Sequence, residues 1–440
     1  MAYFAGMKKW VLSFLLAFTV APLLAQIVAG PMLGYAEMRE VGIWLQTEKA
    51  ALLNLEYRTT GTEKWINAGS LLTKAENAFT AQFKIGNLEP GLTYQYRIYA
   101  NAKLFGKTPY TFKTQKLWQW REEPPAFRIA LGSCHYASEA AYDRPGEPYG
   151  GDYQVFDNIA AKNPDLMLWL GDNIYLREAD WSSRSGIMYR YSHMRKQPYL
   201  QQLMATCPQY AIWDDHDFGP NDATGSWAHK DLSLEAFNLF WMNNGQAAAG
   251  VPGITTAFQF NDIGFFLLDN RYHRTSERLR DSCSREMLGT EQIQWLIDAL
   301  KGSNASFKVV AIGSQVLNSE ALYENYAQYP CERERLLEAI TREGIKNVVF
   351  VTGDRHHSEL SKLEKNGIVL YDITASPLSS KVGNSRDNEK NRNRVEGSLQ
   401  LKRGFATLDV RGDRKTRELI LQFNDSNGQL LYEQIIPRQP

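Results

Sequence analysis

Leu166-Met-Leu-Trp-Leu-Gly-Asp-Asn-Ile-Tyr175 sets an unbroken apolar run directly before a glycine, a carboxylate and, three positions on, a phenol. An apolar run without alternation reads as a strand buried on both faces, and the glycine as a sharp exit from it. The same punctuation recurs along the chain. Phe127–Leu131 runs into Gly132-Ser133-Cys134-His135, and Tyr210–Trp213 into Asp214-Asp215-His216-Asp217. Phe265–Leu268 meets Asp269-Asn270-Arg271, Phe307–Ile312 meets Gly313-Ser314-Gln315, and Val348–Val351 precedes Gly353-Asp354-Arg355-His356-His357. Strands whose carboxyl ends all carry metal- or phosphate-binding groups share one edge of a sheet, which is where α/β enzymes build their sites.

Between these strands, Tyr153–Ala161, Leu232–Asn244, Glu291–Leu300 and Glu332–Arg342 carry apolar residues at about the 3.6-residue helical period. Strand and helix in alternation predict crossover connections and a largely parallel central sheet. Further on, Leu360–Leu363, Ile368–Ile373, Phe405–Val410, Glu418–Phe423 and Leu430–Ile435 are strand-like, with turns at Asn366-Gly367 and Asn427-Gly428. They are expected to complete a second sheet packed on the first. Residues 381–398 are rich in Asn, Arg and Glu and poor in apolar residues, which reads as a surface loop. The N-terminal part differs. Val41–Leu45, Ala51–Tyr57, Ala78–Ile85, Thr93–Tyr99 and Tyr110–Thr114 are short alternating runs separated by turn signals such as Thr60-Gly61 and Glu89-Pro90-Gly91. Residues 26–117 are therefore expected to form a fibronectin-like β-sandwich, Trp118–Pro125 a linker, and residues 126–440 the larger unit.

Composition narrows the function classes. The chain has 440 residues, room for two units, and its 11 Trp, 22 Tyr and 20 Phe argue for an ordered globular protein. Lys plus Arg number 49 and so do Asp plus Glu, so no global charge points to nucleic acid or to an anionic membrane as a partner. Lys8 and Lys9 precede an apolar stretch, Trp10–Leu24, with Ala25-Gln26 as a cleavage point. Residues 1–25 thus read as a signal peptide of an exported protein, without a membrane span in the mature chain. Four cysteines, Cys134, Cys207, Cys283 and Cys331, are too few for a disulfide scaffold; Cys283–Cys331 is one conceivable bridge.

Two metal ions gripping a phosphate need a bridging carboxylate, terminal N, O or S ligands, and a proton donor beside the leaving group. Asp172 can bridge, Tyr175 offers a hard anionic phenolate suited to ferric iron, His356 an imidazole, and Cys134 a thiolate. Asp215 and Asp354 offer oxygen to a second ion, and oxygen-rich company favours calcium, magnesium or manganese over zinc. His216, between Asp215 and Asp217, is the candidate proton donor. Arg271 has two readings of equal weight: it neutralises charge on the phosphoryl oxygens, or it pairs with Asp269. Each ligand also has a plain structural reading. Cys134 can be a small buried hydrophobe, Tyr175 a core aromatic, Asp172 a helix cap and Asp222 a turn former. His357 is read as a neighbour of the site and His135 as ambiguous; His193, His229 and His273 carry no assignment.

Gly-Ser-Cys (132–134), Leu-Gly-Asp-Asn-Ile-Tyr (170–175), Trp-Asp-Asp-His-Asp (213–217), Asn221-Asp222, Asp-Asn-Arg (269–271) and Gly-Asp-Arg-His (353–356) together resemble the PhoD-type alkaline phosphatases, a branch of the calcineurin-like metallophosphoesterases related to purple acid phosphatases. The resemblance covers nearly all of the mature chain. It implies an α/β metallophosphoesterase core of αββα layering preceded by the small all-β sandwich. It further implies ferric iron held by Cys134, Asp172, Tyr175 and His356, and one or two calcium ions held by Asp172, Asp215, Asp354 and Asn221, with manganese or magnesium as alternatives. His216 and Arg271 would be the catalytic pair acting on a small phosphate monoester at alkaline pH. The chain has Cys134 where an Asp-x-His pair is common and lacks a histidine at Gly313-Ser314-Gln315, both of which weigh against a two-zinc centre; Gly-His-x-His has likewise become Gly-Asp-x-His, exchanging an imidazole for a carboxylate. A phosphodiester or phospholipid substrate is the rival reading, with Trp181, Trp227 and Tyr323 as candidate contacts. A non-enzymatic surface-binding protein is the other.

Overall fold

The protein is described here by a computed structural model covering residues 26–245, 250–383 and 389–440; the expected signal peptide lies outside the described residues. Seven strands come first: β1 (Ile27–Ala36), β2 (Val41–Thr47), β3 (Leu52–Thr59), β4 (Ile66–Leu72), β5 (Thr80–Ile85), β6 (Thr93–Ala100) and β7 (Lys103–Lys113). They form two antiparallel sheets of order β1-β2-β5 and β4-β3-β6-β7. On β6 the alternation turns Tyr94, Tyr96, Ile98 and Ala100 inward, and Tyr94 stacks on Phe112 with ring centroids 5.2 Å apart. β1 and β4 escaped the sequence reading. The apolar residues of β1 do not alternate because both its faces are covered: Leu33 packs inside the sandwich, while Met32 and Tyr35 join the core of the larger unit. Trp44 of β2 makes the same crossing, and its indole N–H donates to the Leu239 carbonyl at 2.8 Å.

The larger unit contains β8 (Phe127–Gly132), β9 (Leu166–Leu170), β10 (Gln209–Ile212), β11 (Thr256–Phe260), β12 (Ile263–Leu267), β13 (Phe307–Ile312), β14 (Val348–Thr352), β15 (Glu359–Lys365), β16 (Ile368–Thr374), β17 (Gly404–Arg411), β18 (Glu418–Asp425) and β19 (Leu430–Pro437). Its helices are α1 (Val155–Ala161), α2 (Arg184–Arg195), α3 (Gln201–Thr206), α4 (Asp215–Phe218), α5 (Lys230–Phe240), α6 (Thr290–Gly302) and α7 (Pro330–Arg342). The strands make two six-stranded sheets of order β10-β9-β8-β17-β18-β19 and β11-β12-β13-β14-β16-β15. One core joins them: Ile129, Leu168 and Leu408 of the first sheet pack with Phe265, Val309 and Val351 of the second. The far face of the second sheet packs on α6 and α7 through Val310, Phe350, Leu296 and Leu337. The result is the expected αββα layering.

The topology corrects one expectation. There is no single parallel sheet completed by a separate C-terminal one. The parallel strands divide into β10-β9-β8 and β12-β13-β14-β16, and the C-terminal strands are shared out, β15 and β16 to one sheet and β17, β18 and β19 to the other. Apolar runs reveal strands but not partners. A second correction concerns residues 381–398. From Glu389 onward this surface loop also reaches inward, because Glu389 pairs with buried Arg355 at 2.5 Å and the Asn391 amide donates to Glu359 at 3.1 Å. Part of its polar composition serves buried charges, while Lys390, Arg392 and Glu396 face water. Helix α5 also stops at Phe240, earlier than its apolar spacing suggests, as Trp241 turns extended. The structure does form the Cys283–Cys331 disulfide, closing a separation of 48 residues.

Because Trp44 is fully buried between the sandwich and the larger unit, Trp44→Ala is expected to lower stability by about 3–5 kcal/mol. Denaturant titration reads this directly, and a loss below about 1 kcal/mol would show that the two units do not share this contact.

Candidate metal centre

The six parallel strands that opened the sequence reading deliver their carboxyl ends to one place. β8 ends into Cys134, β9 into Asp172 and Tyr175, β10 into Asp214–Asp217, β12 into Asp269–Arg271, β13 into Ser314 and Gln315, and β14 into Asp354 and His356. Cys134, Asp172, Asp354 and His356 all adopt left-handed backbone, with φ of 57°, 52°, 65° and 55°. Such conformations cost a non-glycine residue roughly 1–3 kcal/mol and persist where surrounding structure over-determines them. Gly171, at φ 90°, makes the approach possible: a Cβ there would come within 2.7 Å of the Asp214 Cβ.

The side chains form overlapping groups. Donor atoms of Cys134, Asp172 and His356 lie within 4.8 Å of one another, as do those of Asp172, Asp215 and His216, of Asp214, Asp215 and Asp354, and of Asp215, Asp222 and Glu324. The Tyr175 hydroxyl is 3.3 Å from the Asp172 carboxylate and 3.2 Å from His356 Nε2. Cys134 Sγ stands 3.5 Å from Asp172 Oδ2 and accepts from the Ser376 hydroxyl at 3.1 Å. His356 Nδ1 faces the Lys381 carbonyl at 2.5 Å, so this ring nitrogen carries the proton and Nε2 presents a lone pair to Asp172 and Tyr175. Asn221 is exposed on the rim, next to Asp222, whose backbone N–H donates to Asp215 at 2.8 Å.

Electrostatics test whether these residues suit cations. Burial, then repulsion from Asp215 and Cys134, pushes the Asp172 carboxyl far above its ordinary range. Asp354 is pushed up in the same way by burial and by Glu324, Asp214 and Asp215. Burial raises the Cys134 thiol to about 12. Asp215 moves the other way: burial opposes its ionisation, but His216, Arg271 and the Asp222 N–H outweigh it. Asp214 Oδ2 and Asp215 Oδ1 are buried without a hydrogen-bond partner. So many acidic groups cannot all ionise in one dry site unless cations join them. The donor set and the orphaned oxygens both fit metal ions.

His216 sits where the site meets solvent, its imidazole one-fifth exposed, 4.2 Å centroid to centroid from Tyr175 and with Nε2 3.8 Å from Asp215. Burial lowers its pKa, and Asp215 and Glu324 oppose that shift without cancelling it. Arg271 requires a correction. Neither reading of it holds. Its guanidinium is enclosed, bonding Asp214 at 2.5 Å and Glu324 at 2.8 and 2.5 Å, so it cannot touch the oxygens of an ester. Asp269 instead receives backbone N–H groups of Arg271 and Tyr272 and the Trp213 indole. Arg271 offsets the acidic floor from behind, assisted by Arg274 on Glu324 at 2.7 Å.

Several participants escaped the sequence reading. Glu324 and Tyr149 lie in loops with no motif, and both line the cleft of about 410 Å³ above the acids. Asp214 and Asp217, which flank Asp215 and His216, form the capping box of α4. Ser376 follows strand β16, so the same strand-end rule could have found it. His135 is a core histidine whose pKa burial lowers to about 3, and His357 faces Glu359 at 3.7 Å, away from the ligands.

A family model for PhoD-like phosphatase matches residues 130–418, and one for a domain of unknown function (DUF7800) matches residues 24–112. Alkaline phosphatase D of Bacillus subtilis (strain 168) is 25% identical over 365 residues, 72% of this chain. The match spans 59% of that enzyme's length. A solved PhoD structure superposes with a TM-score of 0.73 at 19% identity, covering 94% of this chain and 92% of its own. A purple acid phosphatase from yellow lupin, PPD1, superposes with a TM-score of 0.68 at 13% identity, over 93% of this chain and 74% of its own. The two structures share the fold.

Arg271→Met is expected to cost about 3–5 kcal/mol, because it strips a buried acid pair of its counter-charge. Thermal or denaturant unfolding of this variant decides the matter. Unchanged stability with a raised KM alone would instead return Arg271 to the substrate.

Proposed function

Because the chain belongs to the PhoD-like phosphatase family, we propose that it is a metal-dependent hydrolase of phosphate esters, acting on small monoesters at alkaline pH. The observation that carries this reading is the cluster of buried Asp172 and Asp215 and half-buried Asp354 with Cys134, Tyr175 and His356, which needs positive charge to exist as an ionised set. Cys134, Asp172, Tyr175 and His356 would hold ferric iron, and Asp172, Asp215, Asp354 and Asn221 one or two calcium ions; the phenolate and thiolate on one side and the all-oxygen set on the other support that division. Bound there, the cations would acidify water and neutralise phosphoryl charge.

The chain's own residues then do the following. Water oxygen forms the new bond to phosphorus, and the ester P–O bond breaks with its electron pair left on the alcohol oxygen. His216, at the solvent edge, gives that oxygen its proton and regains one from the water. Asp215 keeps the imidazole oriented and favours its protonated form. Arg271 holds Asp214 and Glu324 in place without meeting the ester. Export is part of the proposal and rests on residues 1–25. Among the described residues no helix is long and apolar enough to cross a membrane.

A second reading, hydrolysis of phosphodiesters, is favoured by one feature: the cleft continues past His216 into a further lobe lined in part by Trp181, with room for a second ester arm. Comparing p-nitrophenyl phosphate with its bis ester separates the two.

His216→Ala is expected to lower turnover by about 10²–10⁴-fold with metal content near that of the wild type. Unchanged turnover removes His216 from the mechanism. Elemental analysis and a visible spectrum test the metals: tyrosinate on ferric iron gives a coloured charge-transfer band, whereas a colourless, active protein would overturn the iron assignment.

A further inference from the structure

The cleft has two lobes. The acid-lined lobe shares Tyr149, His216 and Asn221 with a second lobe of about 620 Å³, and His216 stands at their junction. The second lobe is walled by Tyr136, Tyr142, Tyr149, Tyr175 and Trp181, a concentration of ring faces of which monoester hydrolysis uses only Tyr175, at the metal. Three of these rings brace one another, with Tyr136 4.8 Å from Tyr149 and 5.0 Å from Tyr175.

Both arginines of the lobe face carboxylates. Arg144 pairs with Glu178 at 2.8 Å, and Arg177 pairs with Asp143 at 2.8 Å while stacking 3.9 Å over the Tyr136 ring. Arg177 is enclosed by its pair, and Arg144 lies out in solvent at the rim, so among the described residues the interior of the lobe recognises by ring faces and shape. Its walls are also fixed before any ligand arrives. The turn bearing Trp181 is tied by Asp180, which accepts from the Arg177 backbone N–H at 2.8 Å and from buried Arg190 at 2.7 Å. The loop bearing Tyr142 and Tyr149 is tied through Asp143, which also accepts from the Tyr136 hydroxyl at 2.8 Å. Rigid aromatic walls bind flat rings at a small entropic cost.

Resting on the phosphoesterase reading above, we propose that this lobe is the leaving-alcohol subsite and that it selects esters whose alcohol carries a planar ring, as nucleosides and phenols do. A phosphoryl group over the acid-lined lobe directs its ester oxygen toward His216, and the alcohol beyond that oxygen enters the aromatic lobe. Trp181 and Tyr142 are then specificity residues, one half-buried at the wall and the other exposed at the rim.

The test measures kcat/KM for adenosine 5′-monophosphate, phenyl phosphate and glycerol 2-phosphate with the metal-loaded protein, in wild type, Trp181→Ala, Tyr142→Ala and Trp181→Phe. The expected result is that the ratio of ring-bearing to ring-free ester falls about five- to twentyfold in Trp181→Ala, the size of one lost base–aromatic stack. Tyr142→Ala lowers the ratio as well, and Trp181→Phe restores most of it. Loss confined to the nucleotide arm identifies a nucleoside site, and loss confined to the phenyl arm an aryl site. Calorimetric titration with the product alcohols, adenosine against glycerol, reads the lobe without turnover, and adenosine binding is expected to weaken at least about fivefold in Trp181→Ala. Ratios and adenosine affinity unchanged in both alanine variants would overturn the proposal. Should the wild type hydrolyse none of the esters, the phosphoesterase reading falls, while adenosine binding still decides the lobe.

Discussion

Repulsion among carboxylates held out of water is the constraint on which this structure turns. Asp172, Asp214, Asp215, Asp354 and Glu324 converge from both sheets, and all are buried or nearly so. Two such charges about 4 Å apart repel by roughly 4 kcal/mol at an effective dielectric near 20. Arg271 and Arg274 answer part of this by enclosing Asp214 and Glu324. Among the described residues Asp172 and Asp354 receive no such partner; Arg355, beside Asp354, is committed to Glu389 instead. A fold that sets carboxylates in strained backbone, without enough basic side chains to balance them, is a fold completed by cations.

The surrounding shell explains why the strain persists. His356 is fixed from behind by the Lys381 carbonyl and the Ser376 hydroxyl, and Ser376 also reaches Cys134. Gln315 holds Arg355 through its amide oxygen and Glu359 through its amide nitrogen, so the turn that lacks a histidine ligand serves as a brace. Asp217 accepts the backbone N–H groups of Asn173 and Asp214 and thereby locks the β9 and β10 ends together. The aromatic lobe is braced in the same manner through Asp143 and Asp180. The clustered donor side chains are one layer, and a second layer of amides, hydroxyls and ion pairs holds their geometry.

Much of this was legible in the chain because local physics wrote it there. Unbroken apolar runs ending in Gly-Asp or Asp-Asp-His identified the strands and the edge where Cys134, Asp172, Tyr175, Asp215, Asp354 and His356 gather. What was not legible depends on partners distant in sequence. The division of strands between two sheets follows from pairing, which apolar runs do not encode. Arg271 looked like a substrate contact because its neighbours in sequence are known but Glu324, 53 residues away, is not. Glu389 and Asn391 looked like solvated loop residues because the buried charges they satisfy lie at Arg355 and Glu359. β1 hid because both its faces are covered, one by a unit it precedes. Polar residues that neutralise one another across the fold carry no periodic signature, and they are where sequence reasoning failed.

The central claim is that the acidic floor is built for cations, and unfolding of the metal-stripped protein tests it most directly. Wild type after chelation is compared with wild type reloaded with metal and with a doubly neutral variant, Asp172→Asn/Asp354→Asn, also stripped. The account predicts that stripping lowers the melting temperature of the wild type, and that the neutral variant, freed of the repulsion, melts at or above the stripped wild type. A wild type indifferent to chelation, together with a neutral variant that is less stable than it, would contradict the account.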